Sequence, residues 1–217
     1  MTRVRLSLLV CVLLVGAVAS RAAGIRVLVR TVQDEPVTDA VVSLVPLDQP
    51  VPPAAPQTVP VEVSQEAEEY HPYVTAIRVG TRVDFPNRDK VQHHIYSLSK
   101  AKRFEIPLYA PGARESVLFD RPGVVTLGCN IHDWMIAYVV VLPTPYFATT
   151  GTDGAAALST LPGGRYRLEV WHPRLAVPPT REISIAVNPN GPPEEFIVKL
   201  KPDRRIRRSP ENASGGY

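Results

Sequence analysis

From residue 24 onward the chain is built of short apolar or alternating runs, each closed by a turn signal. The run 25–30 alternates roughly as a half-buried strand does. Asp34-Glu35-Pro36-Val37 reads as a turn, and 40–45 as a second strand. Residues 49–60 are rich in Pro and Ala and read as a linker or surface loop. Strand patterns follow over 74–79 and 81–85, on either side of Gly80, and over 91–98. Runs at 116–119 and 124–127 flank the turn Asp120-Arg121-Pro122-Gly123. The segment 136–142 is densely apolar and ends at Pro143 and Pro145. Four more strand patterns lie at 155–161, 166–171, 182–187 and 195–200, separated by Pro162-Gly163-Gly164 and by a loop over 188–193. No stretch sustains a helical period over about 12 residues; only 64–70 allows a short helix. Regular short strands between turns predict an all-β sandwich or barrel.

The first residues break this pattern. Arg3 and Arg5 precede a nearly uninterrupted apolar stretch over 6–18, and Ala17-Val18-Ala19 supplies small residues for cleavage. The stretch is shorter than the roughly 20 residues a spanning helix needs. Residues 1–23 therefore read as a secretory signal peptide. The expected product is periplasmic or secreted, without stable membrane insertion. The expected organisation is 24–59 for the first strands and linker, 60–143 and 144–202 for two β units, and 203–217 for a disordered basic tail.

Composition narrows the function. The chain has 217 residues, 24 Lys and Arg against 21 Asp and Glu, and a net charge of +3. That balance argues against a nucleic-acid binder. With 23 prolines against 13 glycines, strands and turns are favoured over long helices. The two cysteines, Cys11 and Cys129, exclude a disulfide-rich scaffold. Cys11 leaves with the signal, so the exported chain keeps one thiol. A lone thiol in an oxidising compartment is either buried and inert or a metal ligand.

The local sequence favours the ligand. Cys129-Asn130-Ile131-His132-Asp133-Trp134-Met135 has the form C-x2-H-x2-M and joins two apolar strands. Such a loop can aim a thiolate, an imidazole and a thioether at one point. Upstream, His93 or His94 can add a second imidazole; successive strand residues face opposite sides, so only one of them points inward. Two imidazoles, one thiolate and a weak axial thioether make a type 1, or blue, copper site. Tetrahedral zinc is the metal alternative, for which Met is a poor ligand. A binuclear copper centre needs a second cysteine. A multicopper oxidase needs more His-x-His pairs than a chain with five histidines provides. His71 reads as a surface residue and His172 as structural. Asp133 and Trp134 read as loop packing or as part of a docking surface, and the acidic run Glu62, Glu66, Glu68 and Glu69 as a solvated face.

The segment Asn87-Arg88-Asp89-Lys90-Val91-Gln92-His93-His94 and the Cys129 loop resemble the cupredoxins, the loop being similar to the short ligand loop of amicyanin. The run 85–146 resembles cupredoxin-like proteins labelled methylamine-utilisation or plastocyanin-like. The resemblance implies a Greek-key cupredoxin sandwich over 60–143 and one type 1 copper ion. It implies the ligands His93, Cys129, His132 and Met135. By spacing from Asn87, His93 matches the family ligand, with His94 as the alternative. His94 falls where the family usually carries an Asn that braces the Cys loop. Residues 24–50 and 146–201 resemble, more weakly, the carboxypeptidase-regulatory-like β-sandwich. The first strands can belong to either unit.

The function this implies is one-electron transfer with a redox partner protein, such as a cytochrome or dehydrogenase, and not enzymatic catalysis. The alternatives are a copper-handling or delivery protein, and a structural β-sandwich with a vestigial metal site. A single methionine, Met135, in the exported chain counts against copper storage.

Overall fold

The computed structural model describes residues 23–53, 59–185 and 192–205. The segment 1–23 expected to be a signal peptide lies, but for its last residue, outside the described residues, as does the expected tail from 206. Every regular element among the described residues is a β-strand, as the pattern predicts. No helix among them is long and apolar enough to cross a membrane. In chain order the strands are β1 (Ala23–Thr31), β2 (Val41–Pro46), β3 (Val61–Glu62), β4 (Ser64–Glu66), β5 (Glu69–His71), β6 (Val74–Arg78), β7 (Thr81–Pro86), β8 (His93–Leu98) and β9 (Arg103–Tyr109). They continue with β10 (Arg114–Phe119), β11 (Gly123–Gly128), β12 (Ile136–Leu142), β13 (Phe147–Thr149), β14 (Ala155–Leu161), β15 (Gly164–Trp171), β16 (Thr180–Ile185) and β17 (Glu194–Val198).

The middle of the chain forms one sandwich. A three-stranded sheet, β10-β7-β3, faces a five-stranded sheet, β6-β12-β11-β8-β9. The chain crosses between the two sheets from β6 to β7, from β7 to β8, from β9 to β10 and from β10 to β11, which is a Greek-key path. Val83, Phe85 and Phe119 meet Ile95, Val125, Leu127 and Val139 in a shared core. Phe85 and Phe119 are fully buried, each worth about 1.5–3 kcal/mol relative to exposure.

The first and last strands form a second sandwich around this one in sequence. β1 pairs with β14 and, in parallel, with β17; β2 pairs with β13 and β15. Of the two placements open to the first strands, pairing puts them with the C-terminal unit. Val27, Val29, Leu44, Tyr166 and Leu168 lie in its core. In β1 Val27 and Val29 point inward while Arg26 and Arg30 do not, the alternation of a half-buried strand.

The dense apolar run of β12 now has a cause. Ala137, Val139 and Val141 face the middle sandwich. Val140 and Leu142 face the other way, against Val41, Phe147 and Trp171 of the second unit. A strand covered on both faces needs no polar side. The chain beyond β17 returns to this joint. At the start of the expected tail, Arg205 lies 3.8 Å from the centre of the Tyr73 ring and pairs with Asp203.

One local expectation is corrected and one strand is added. The helix allowed over 64–70 is a hairpin, β4–β5, with Glu66 opposite Glu69. Its turn residues Ala67 and Glu68 both have positive φ, 54° and 57°, as a tight two-residue hairpin requires. Ala and Glu are helix formers, and a tertiary contact overrides them: the Asp89 carboxylate accepts both turn N–H groups, at 2.5 and 2.9 Å. Strand β9 carried no prediction because Pro107 sits inside it. Proline is tolerated there because β9 is the edge of its sheet.

His172, at the end of β15, is buried and its Nδ1 accepts the Arg174 N–H at 3.2 Å. Burial, then the charges of Arg174 and Arg205, push its pKa down to about 4. Below the ordinary 6.5 the unfolded chain takes up a proton that the folded chain refuses. Stability from this group is therefore complete above about pH 6.5 and is lost as pH falls towards about 4. Urea midpoints compared at pH 7.5 and 4.5 should fall less for His172→Gln than for the wild type.

Candidate metal centre

The site sits where β8 begins and β11 ends, at one end of the middle sandwich. His93 and Ile95 are fully buried and face the core; His94, between them, lies at a bulge in the β8–β9 pairing. His94 turns to the opposite side, where its Nε2 is 2.9 Å from Glu105 Oε1. Of these two adjacent side chains, only that of His93 reaches the cysteine. Cys129, just past β11 and 3% exposed, has its Sγ 3.9 Å from His93 Nδ1.

The loop after Cys129 closes on itself. The Met135 N–H donates to the His132 carbonyl at 3.0 Å. That turn returns His132 to the cysteine, with Nδ1 3.6 Å from Sγ. One donor atom from each of His93, Cys129 and His132 lies within 4.8 Å of the others. Donors held at about 2.0–2.3 Å around one first-row ion stand about 3.5–3.8 Å apart, so the two Sγ–N separations fit such an ion. Met135, at the head of β12, is 2% exposed and belongs to the apolar cluster that includes Cys129. His71 is exposed on β5, and His172 lies in the second unit.

The electrostatics favour a thiolate. Burial alone would push the Cys129 thiol up. The His93 imidazole and the backbone N–H groups of His94, Ile131 and His132 outweigh it and hold the thiol below its ordinary pKa. Burial likewise opposes charge on His93, and Cys129 and Asp89 together reverse that, raising its pKa. Imidazole and thiol are thus each drawn towards the charged form by the other.

Three neighbours brace this end. Asn87, 1% exposed, donates from Nδ2 to the Val91 and Tyr109 carbonyls, and its Oδ1 accepts the Asp89 N–H. The Tyr70 hydroxyl is 3.1 Å from the Gly128 carbonyl and 3.4 Å from that of His94. It bridges β8 to the end of β11, beside His94, which stands where the cupredoxins usually carry an Asn. The Trp134 Nε1–H donates to the Glu68 carbonyl at 3.1 Å, tying the loop to the β4–β5 turn. Sequence reasoning quoted Asn87 and Asp89 as part of a motif, gave Tyr70 no role and read Glu68 as solvated.

A two-sheet Greek-key sandwich with a strand His, a strand-end Cys and a loop His gathered at one end has the cupredoxin plan. The middle unit is cupredoxin-like in fold. No family model and no curated protein matches the chain. By structure it is similar to the Cu-containing nitrite reductase of Thermus scotoductus SA-01, at 30% identity and TM-score 0.38, over 45% of this chain and 27% of that one. It is similar to a purple cupredoxin from Nitrosopumilus maritimus, at 29% identity and TM-score 0.35, over 38% of this chain and 99% of that one. It is also similar to a reduced amicyanin variant, at 20% identity and TM-score 0.37, over 46% of this chain and 98% of that one. The chain spans about a quarter of the nitrite reductase.

Asn87→Ala leaves the Tyr109 carbonyl and the Asp89 N–H without their partner. It should lower stability by about 1–3 kcal/mol, read as a lower urea midpoint at unchanged slope.

Proposed function

We propose that the middle unit is a type 1 copper centre and that the chain is an exported one-electron carrier, not an enzyme. The observation that carries this reading is the grouping of one thiol and two imidazole nitrogens within 4.8 Å of one another, with His93 and Cys129 buried and His132 half-buried. His93, Cys129 and His132 would be the equatorial ligands, and Met135 the weak axial one. The donor set suits copper: thiolate and thioether favour Cu(I), imidazole favours Cu(II). Copper supplies the Cu(II)/Cu(I) couple, one electron at a time. The protein's part is to keep the thiol ionised, the imidazoles oriented and water out. His93 is fully buried and Cys129 nearly so, which suits a carrier that retains its metal better than a protein that delivers it. The lowered Cys129 pKa reduces the cost of displacing its proton when the metal enters.

The partner would be another redox protein that meets the loop around His132. Export rests on the leader pattern of residues 1–23.

Adding Cu(II) to the wild-type protein should give an intense visible thiolate-to-copper charge-transfer band at one copper per chain. Cys129→Ser and His132→Ala should each abolish it, and His94→Ala should leave it. A colourless wild type whose Cys129 titrates as a free thiol would refute the reading; loss of colour in His94→Ala alone would refute the ligand assignment.

A further inference from the structure

Both histidines beside Cys129 present their second ring nitrogen to a carboxylate. His93 Nε2 is 2.7 Å from Asp89 Oδ2, with side-chain exposures of 0% and 11%. His132 Nε2 is 3.9 Å from Glu68 Oε2, with exposures of 13% and 20%. One device supplies both carboxylates. Glu68 is the second residue of the β4–β5 turn. Asp89 is locked to that same turn by accepting the N–H groups of Ala67 and Glu68.

The turn's conformation points the same way. Two non-glycine residues in succession hold positive φ, which costs roughly 1–2 kcal/mol per residue. That conformation aims both backbone N–H groups at one side chain, Asp89. A third link, from Trp134 Nε1 to the Glu68 carbonyl, fixes the turn to the loop that carries His132. The hairpin is therefore attached to both histidine-bearing segments.

We propose that Asp89, locked by the β4–β5 turn, is the positioning residue that sets the tautomer of His93 and biases the centre towards its oxidised form, with Glu68 adding a weaker bias of the same sign at His132. The inference rests on the copper reading above. A carboxylate can only accept, so Asp89 requires the proton on His93 Nε2 and leaves the Nδ1 lone pair facing Cys129. Its negative charge favours Cu(II) over Cu(I), because the oxidised ion carries one more positive charge. At hydrogen-bond distance in a nearly dry pocket that preference is poorly screened. Glu68 is farther away and more exposed, so its effect is smaller.

The test uses the full-length exported chain loaded with copper. Asp89→Asn keeps the shape of the side chain, removes its charge and replaces one of its two accepting oxygens by a donor. It should weaken Cu(II) binding by about 10–100-fold in competition with a chelator and raise the reduction potential. Glu68→Gln should raise the potential by less. An unchanged or lowered potential in coloured Asp89→Asn protein overturns the proposal, as does a larger shift from Glu68→Gln. If Asp89→Asn does not fold, the wild-type Cu(I) form decides: its His93 Hε2 proton should give a downfield, slowly exchanging ring N–H resonance, and absence of that resonance overturns the tautomer assignment. Failure of the wild type to form the thiolate–Cu(II) band would instead remove the copper reading, an outcome separate from both.

Discussion

The contact between the His93 imidazole and the Cys129 sulfur joins the two strands that define one end of the sandwich. Both side chains are buried, and both are polar groups that an apolar core does not favour. The surrounding structure compensates with specific partners. Asp89 takes the far side of the imidazole, backbone N–H groups of the loop surround the sulfur, and Asn87 and Tyr70 tie the flanking carbonyls. Removing any one partner leaves a buried polar group unsatisfied, which is why so many otherwise separate elements converge here. Both Sγ–N separations, 3.9 and 3.6 Å, fall near those that donors around one first-row ion take.

The second sandwich matters to the site through β12. That strand leaves the Cys129–Met135 loop and is packed on one face by the middle core and on the other by Val41, Phe147 and Trp171. The loop is thus anchored to a strand that both units hold. The insertion of one sandwich between β2 and β13 of the other follows from pairing alone, and it puts the chain's last described residues against Tyr73, beside the same joint.

Much of this was legible in the sequence, and the failures share a cause. Strand alternation showed in β1 because it has one core face and one outer face; the dense apolar run of β12 was visible, but its covering on both faces appears only in the structure. The spacing of Cys129, His132 and Met135 was readable because one short loop holds all three. Strand alternation allowed only one of His93 and His94 to point inward; the structure brings His93 to the sulfur and turns His94 to Glu105. What could not be read depends on contacts between distant segments. The β4–β5 turn has the local composition of a helix and takes its shape from Asp89, some twenty residues on. Glu68 looked like one more surface acid in an acidic run, because its proximity to His132 exists only after the hairpin folds over the loop. β9 was hidden by Pro107, whose meaning changes once the strand is known to be an edge. A weak signal was present: Asp89 stands four residues before His93, inside the motif that already pointed to the metal.

The central claim is that one thiolate and two imidazoles of this chain share one copper ion. X-ray absorption at the copper edge, on the Cu(II)-loaded wild-type protein, reads the ligand set directly. The account predicts one short sulfur scatterer and two imidazole nitrogen scatterers per copper, with the sulfur lost in Cys129→Ser. A first shell of nitrogen and oxygen alone, unchanged by Cys129→Ser, would contradict it.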